Sequence, residues 1–381
     1  MKRFVFLIIG MLLYCGVAIA QNRVIDASDR QPIAAASVFD ATGNIVGLTL
    51  INGEFPDVPL TSYPITLRCI GYEDLTIKVP ANRTWEMKPM IYELEEIVVV
   101  PVKRNVLKQT FYAREYLSLR LPIGIDTSED GASNYINEDT ITFFLEHMAV
   151  RYVPTTKDAK FGGDTSLRIL NSRCYSRYNI ADMDSVAYDA QSNFPSMLSL
   201  CTIDDTPIDA TDEFKGQSGT TKQYKKPGKS GMAIVMRQNA NTFKVTEDML
   251  AGKKDHSSSP WLLSLSGLSM DINQLFSTQT YRANDKCIYQ PKDIMEASFV
   301  MQADGKGRLI RKAIKTKNPI VIRSMVEVYL VENEYLTKEE AKREYKDDEL
   351  GMRITAPATV PPLNAATQKL VKRAKAEAKN R

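Results

Sequence analysis

Histidine is almost missing from this chain: His147 and His256 are the only two in 381 residues. A helical metal pair would need a second histidine four residues after His147, and Arg151 stands there instead. Cysteine is scarce as well. Of the five, Cys15 lies near the N-terminus, which leaves Cys69, Cys174, Cys201 and Cys287. That is too few for a disulfide scaffold of this length, and no two are spaced like a zinc clip. Cys69 is expected as a small buried hydrophobe within an apolar strand; Cys174–Cys201 is the pairing expected if any bond forms. There is no excess of charge: the formal net charge is +3, so nothing favours nucleic acid. No stretch beyond residue 20 approaches the length of apolar chain that a membrane helix needs.

Catalytic signatures are missing too. There is no Gly-x-Ser-x-Gly elbow, P-loop or dinucleotide fingerprint, and Ser264-Leu265-Ser266-Gly267 is not an elbow. His256 lies in Asp255-His256-Ser257-Ser258-Ser259, which reads as a polar loop, because triad members meet in space and not in sequence. Asp204-Asp205 and Asp182-Met183-Asp184 place carboxylates close together, as glycosidase or calcium chemistry would. The second lacks the later glycine and glutamate of a calcium loop, and both read as solvated loop acids. The sequence therefore nominates no catalytic residue, no cofactor-binding residue, no metal ligand and no cofactor.

What is present begins at the N-terminus. Lys2-Arg3 precedes the apolar run Phe4–Val17, and Ala18-Ile19-Ala20 precedes Gln21. This is the order of a cleavable secretory signal, with cleavage expected after Ala20. Tyr14 precedes Cys15 where a lipid anchor would want a small residue. Without Lys2 and Arg3, the 49 basic residues become 47 against 46 acidic ones, a net charge of +1. The expected organisation is a signal over 1–20, a β-sandwich over 22–100, a linker with a helical or extended connector over 101–135, an α+β domain over 136–346 and a tail with a basic helix over 347–381. The expected class is therefore β-rich with two domains.

Residues 22–100 carry short strands broken by turn chemistry. Arg23–Asp26, Ala35–Asp40 and Ile45–Leu50 are separated by Ser28–Pro32 and Thr42-Gly43-Asn44. Ile65–Ile70 alternates with Ile65, Leu67 and Cys69 on one face, and Leu75–Val79 alternates again. Strands at this spacing argue a sandwich. The order Pro32–Val38, Thr49–Phe55, Cys69-Ile70-Gly71-Tyr72 and Leu94–Val100 resembles the carboxypeptidase regulatory-like domain. Ala35 and Leu50 depart from its usual glycine and aspartate. The resemblance implies a prealbumin-like seven-stranded antiparallel sandwich, frequent at the N-termini of Gram-negative envelope proteins including TonB-dependent receptors, with no catalytic residues of its own. The strip Leu94–Val102 reads as a last strand plus linker.

Beyond it, Leu107–Leu119 reads as a helix or a long strand. Thr140–Met148 reads as an amphipathic helix, with Ile141, Phe144, Leu145 and Met148 at helical spacing. Phe161–Asp164 is an expected turn, Ser166–Tyr178 a strand, and Ala233–Met236 another. Phe214–Gly231 reads as an exposed loop. Trp261–Leu268 is apolar, and Met270–Phe276 looks helical. Asp304-Gly305 is expected to turn a hairpin between Ala297–Gln302 and Arg308–Lys315. Ser324–Val331 alternates Met325, Glu327, Tyr329 and Val331 against Val326, Val328 and Leu330. Thr337 opens a helix with Glu340 at capping-box spacing, and Thr367–Arg381 is a basic helix. The basic runs Lys222–Lys229 and Arg308–Lys317 could meet an acidic surface such as lipopolysaccharide; the second alternates with apolar residues and reads most simply as one solvated face of a sheet.

The second part resembles the C-terminal region of a group of exported proteins that carry the same module and have no established activity. The marks are Tyr112–Tyr116, Thr140–Met148 and Glu327–Leu330 leading into Glu334–Thr337. The function expected is that of a non-enzymatic envelope protein, periplasmic or associated with the outer membrane. Its sandwich would be the docking module, and its second domain would bind a protein or glycan. The alternatives are a hydrolase with its site in residues 130–290, favoured by clustered buried carboxylates, and an accessory subunit of a TonB-dependent receptor.

Overall fold

A computed structural model of the chain describes residues 22–81, 83–90, 104–123, 137–162, 166–180, 183–189, 196–211, 221–225, 233–250, 269–306, 320–347 and 352–379. The expected signal, Leu94–Val102, Gly163-Asp164, His256, Trp261–Leu268 and Arg308–Lys315 lie outside these, as does most of Phe214–Gly231.

The N-terminal part is built of β1 (Arg23–Asp26), β2 (Ser37–Phe39), β3 (Ile45–Leu48), β4 (Ile65–Arg68), β5 (Leu75–Ile77) and β6 (Thr84–Met87). Strands β3-β2-β4-β5 make an antiparallel sheet, and β1 pairs with β6 in parallel. Val24, Val38, Ile65, Leu67, Ile77 and Met87 close the core between them. Gly53 turns the chain at φ +80°, and a Cβ there would sit 2.4 Å from the Val24 carbonyl oxygen, so no side chain fits. Cys69 is buried in this core, as expected.

The rest is dominated by one antiparallel sheet, of ten strands among the described residues. In chain order these are β7 (Val106–Ile123), β8 (Asn137–Pro154), β9 (Arg168–Ile180) and β10 (Met183–Asp189); the short β11 (Ile208–Asp209) stands apart; then come β12 (Thr221–Lys225), β13 (Ala233–Gln238), β14 (Thr242–Asp248) and β15 (Ser269–Arg282); the short β16 (Ile288–Tyr289) pairs with β11; β17 (Ile294–Lys306) and β18 (Ile320–Leu336) complete it. The order across the sheet is β10-β9-β8-β7-β18-β17-β15-β14-β13-β12. The β-rich antiparallel class expected from the sequence is what forms. Two helices accompany it among the described residues, α1 (Lys338–Asp347) and α2 (Ala365–Lys379). Thr337 and Glu340 make the expected capping box: the Thr337 amide donates to the Glu340 carboxylate (2.8 Å), and the Glu340 amide donates to the Thr337 hydroxyl (3.2 Å). No described helix is long and apolar enough to cross a membrane.

Both faces of this sheet are covered. The N-terminal part and α2 lie on one, here called the module face. Residues 196–211 and the β11–β16 pair lie on the other. On the module face Tyr116, Phe144, Tyr175 and Tyr188 stand directly opposite one another on β7, β8, β9 and β10. Their ring centroids are 5.2, 5.9 and 4.9 Å apart in that order. Such cross-strand aromatic rows are a main source of sheet stability. Phe39 of β2 meets the end of the row, edge-on to Tyr116 at 5.4 Å.

Burial on both faces explains several departures from expectation. Thr140–Met148 lies within strand β8 and is not a helix. Phe143 and Phe144 are both buried, on opposite faces, so the run is apolar without a two-residue period and imitates helical spacing. Met270–Phe276 is likewise strand, in β15. Its register skips Asn273, and the bulge erases the alternation. Asp304-Gly305 makes no turn: Gly305 pairs with Met270 on one side and Ile320 on the other, and two ladders outweigh the local turn preference. Leu107–Leu119, read as a helix or a long strand, is strand: it lies within β7, flanked by β8 and β18. Cys174 and Cys201 are not bonded to each other, so the pairing expected if any bond formed is not made.

Candidate functional site

Charged residues rarely go fully inside unless paired, so buried charge is the surest guide to a site here. Among the described residues it is found on both faces of the large sheet.

On the module face, β4 ends at Arg68 and β18 carries Glu327 between Met325 and Tyr329. The Arg68 guanidinium donates Nε to Glu327 Oε1 (2.7 Å) and Nη2 to Oε2 (3.1 Å), a two-pronged pair. The side chains are 2% and 1% exposed. Its Nη1 donates to both Asp74 oxygens (3.1 and 3.0 Å) and to the Pro362 carbonyl (3.2 Å). Tyr116 donates to Glu327 Oε2 at 3.5 Å. Alongside, Arg114 Nη1 donates to the Pro361 carbonyl (2.5 Å) and Nε to the Tyr112 hydroxyl (3.3 Å). The hydroxyls of Tyr112 (2.7 Å) and Tyr175 (3.2 Å) both donate to Glu146. Burial alone would lower the Arg68 pKa, but Glu327, Tyr116, Tyr329 and Asp74 together hold it above its ordinary value. Burial raises the Asp74 carboxyl, with Arg68 opposing it.

Two further junctions join the same surfaces. Asp26 accepts from the Tyr72 hydroxyl (2.9 Å) and from Arg237 Nη1 (2.9 Å), and Arg237 also faces Asp29 at 3.3 Å. Lys244 Nζ donates to the Ile70 carbonyl (2.7 Å) and sits 4.3 Å from the centre of the Tyr72 ring. Burial lowers its pKa. Gly71 has φ +78°, and a Cβ there would stand 2.4 Å from that ammonium. Two small crevices lie beside this junction, and Tyr72, Arg237 and Lys244 line both. At the β2–β3 turn, Asn44 Oδ1 accepts from Arg177 Nη2 (2.9 Å) and the Ile45 amide donates to the Ser118 hydroxyl (2.9 Å).

On the opposite face, His147 and Glu115 are fully buried. His147 Nδ1 is 2.7 Å from the Ser172 hydroxyl, and Nε2 is 3.4 Å from the Ser196 hydroxyl and 3.5 Å from Glu115 Oε2. Ser196 donates to Glu115 Oε2 (2.6 Å), and its oxygen accepts the Leu198 amide (3.0 Å), capping the short 3-10 turn Met197–Leu200. The Met197 amide also donates to Glu115, at 3.0 and 3.1 Å to its two oxygens. Next to it, buried Arg151 donates to Gln109 Oε1 (2.9 and 2.6 Å) and to Asp205 (2.6 Å). Burial raises Asp205 and the neighbouring Cys201 thiol.

Serine, histidine and glutamate thus meet, but not in a relay. A nucleophile–base–acid device orients the base through the ring nitrogen turned away from the nucleophile. Here Ser172 holds that nitrogen, while Glu115 grips the serine itself and the turn behind it. The arrangement fastens residues 196–203 to the sheet.

The residues singled out in the sequence fare unevenly. His147 is in this cluster, on a strand. Asp205 pairs with Arg151, while Asp204 accepts the Thr206 amide (2.8 Å) in a local turn, so the two acids do not act together. Asp184 faces Arg373 of α2 at 2.5 Å. Asp182, His256 and Ser264–Gly267 lie outside the described residues. Among the described residues no group of three His, Cys, Asp or Glu side chains could hold a metal ion. Sequence reasoning missed Arg68, Arg114, Glu115 and Arg151. Glu327 carried a usable signal, as a charge on an otherwise apolar strand face between Met325 and Tyr329.

No family model matches the chain, and no curated protein matches it. One solved chain that does match is described as lipid-protein interactions in lipovitellin. It is 10% identical, and the overlay covers 60% of this chain and 25% of that one, with a TM-score of 0.28. The matched part is thus a quarter of the lipovitellin chain. A score this far below 0.5 carries no argument.

Proposed function

We propose that this chain is an exported cell-envelope protein, periplasmic or associated with the outer membrane, that works by binding a protein or glycan and not by turnover. Residues 22–100 act in this reading as a carboxypeptidase regulatory-like scaffold. The order of Lys2 to Gln21 and the turn and strand pattern of the module support the address. The observation that carries the binding reading is how the buried charges are used. Arg68–Glu327, Asp26–Arg237 and Arg151–Asp205 each tie one piece of the chain to another. The Ser196–His147–Glu115 group spends its carboxylate on an amide and a serine instead of orienting the histidine.

The module is then not a separate arm but a wedge fixed on the sheet, and the surface offered to a partner is a composite of both. The test is capture of partners from envelope extracts by the chain lacking residues 1–20, run beside a screen for ester, peptide and glycoside hydrolysis. A saturable complex without turnover is expected. Turnover that is abolished by Ser196→Ala or His147→Ala, with no complex recovered, overturns the reading.

A further inference from the structure

Residues 352–363 cross the module face between the N-terminal part and the sheet, and they are held there in an unusual way. Of this stretch Ile354 alone is classed as buried. Ile354 fills a slot formed by Ile70, Tyr112, Met148 and Tyr329, and Val360 packs against the same group. No described backbone hydrogen bond joins the stretch to the rest of the chain; the one bond within it closes a turn, from the Val360 amide to the Pro357 carbonyl (3.1 Å). What grips it is a set of side chains aimed at its carbonyls. Asn171 donates to Met352 O (2.9 Å), Arg114 to Pro361 O (2.5 Å) and Arg68 to Pro362 O (3.2 Å).

This is the chemistry of peptide recognition more than of folding. Donors that read carbonyls do not depend on the side chains of the segment they hold. Prolines suit such a groove, because they present an acceptor and leave no amide to satisfy. Aromatic-lined grooves that take proline-containing segments use the same logic. Both arginines are fixed in advance, Arg68 by Glu327 and Asp74 and Arg114 by Tyr112, so the groove does not need its occupant to be shaped. An exposed stretch with few buried contacts belongs to the low-stability end of a fold and opens first.

We propose that this strip is a groove for an irregular, proline-containing segment of a partner protein, and that the chain's own tail is its resident occupant. The segment it takes carries a β-branched apolar residue, then a second one six positions later followed by two prolines, as Ile354, Val360, Pro361 and Pro362 do. The proposal rests on the binding reading above and names the partner's chemistry. Helix α2, which follows the segment, holds the tail in place through Ala374, Leu370 and Val371 against the module and sheet.

The test uses the full chain with Ile354→Asp and Val360→Asp, which expels the tail from the slot without cutting it. The probe is a labelled peptide copy of residues 352–379. The variant chain is expected to bind the probe saturably and about tenfold or more tighter than the unaltered chain, whose groove is filled. It is expected to bind a probe carrying the same two aspartates about tenfold or more weakly. A peptide keeping only the Ile, Val and Pro-Pro pattern on unrelated residues should compete. A variant that unfolds, that ignores the probe, or that takes both probes alike overturns the proposal, since the tail is then a fixed part of the fold. So does failure of the pattern peptide to compete. If the unaltered chain still captures an envelope partner in those cases, the binding reading stands and the partner sits elsewhere.

Discussion

On the module face, Glu327 of β18 bonds an arginine 259 residues earlier in the chain. On the opposite face, Glu115 of β7 bonds Ser196, 81 residues later, and the turn that follows it. Both carboxylates are buried, and both stand on interior strands of the same sheet. The first is matched by a guanidinium and joins two parts of the molecule. The second is matched by a hydroxyl and an amide and holds down a covering loop. Burial of charge is therefore no sign of chemistry by itself. What its partners are, and how far away in the chain they lie, separates a fastening from a catalytic device.

Four substitutions sharpen or break that contrast. The largest effect is expected for Glu327→Ala, which leaves Arg68 charged and buried without its main partner. The loss should be about 3–5 kcal/mol in denaturant unfolding. A loss below about 1 kcal/mol would put the pair among those that solvent screens and remove the reason to treat it as a fastening. Arg151→Ala on the opposite face removes bonds to Asp205 and Gln109. The expected cost is about 1.5–3 kcal/mol, with proteolytic cleavage concentrated near residues 196–211 and the module untouched. Ser196→Ala removes the cap on the turn at Met197 and should cost about 1 kcal/mol. A larger loss, accompanied by loss of any substrate turnover, would restore a chemical role to that cluster.

The smallest effect concerns pH. Burial pushes the Cys69 thiol from its ordinary 9.0 up to about 11. As pH rises between these values the unfolded chain gives up the proton first, so alkali favours unfolding. The stability tied to this thiol is fully present below pH 9 and lost as pH rises through 11. Urea midpoints between pH 8 and 11 should fall less steeply in Cys69→Ala than in the unaltered chain. Equal slopes would mean that the thiol is not held in the core.

The β-rich class, the short strands of the module and the Thr337–Glu340 cap were legible because each is written locally, in alternation, turn residues and cap spacing. The strands β8 and β15 were not. With aromatic and aliphatic side chains on both faces, β8 has no polar side to reveal its period, and β15 loses its period at Asn273. The Asp304-Gly305 pair shows the same limit from the other direction, as a strong local turn signal overruled by neighbours on both edges. The candidate sites were legible least of all. Arg68 looks like the polar end of a surface strand until Glu327, far along the chain, is brought against it. On the module face Glu327 betrayed itself by standing charged in an apolar row; on the opposite face His147 and Asp205 stood out in the sequence, but not the partners they meet.

The central claim is that the module is fastened to the sheet through Arg68 and Glu327, and a double-mutant cycle tests it most directly. Arg68→Met, Glu327→Leu and the pair together would be unfolded in denaturant beside the unaltered chain. The account predicts that each single change is strongly destabilising and that the double variant recovers most of the loss, since apolar residues of similar size replace a buried ion pair at little cost. Losses that simply add would contradict it.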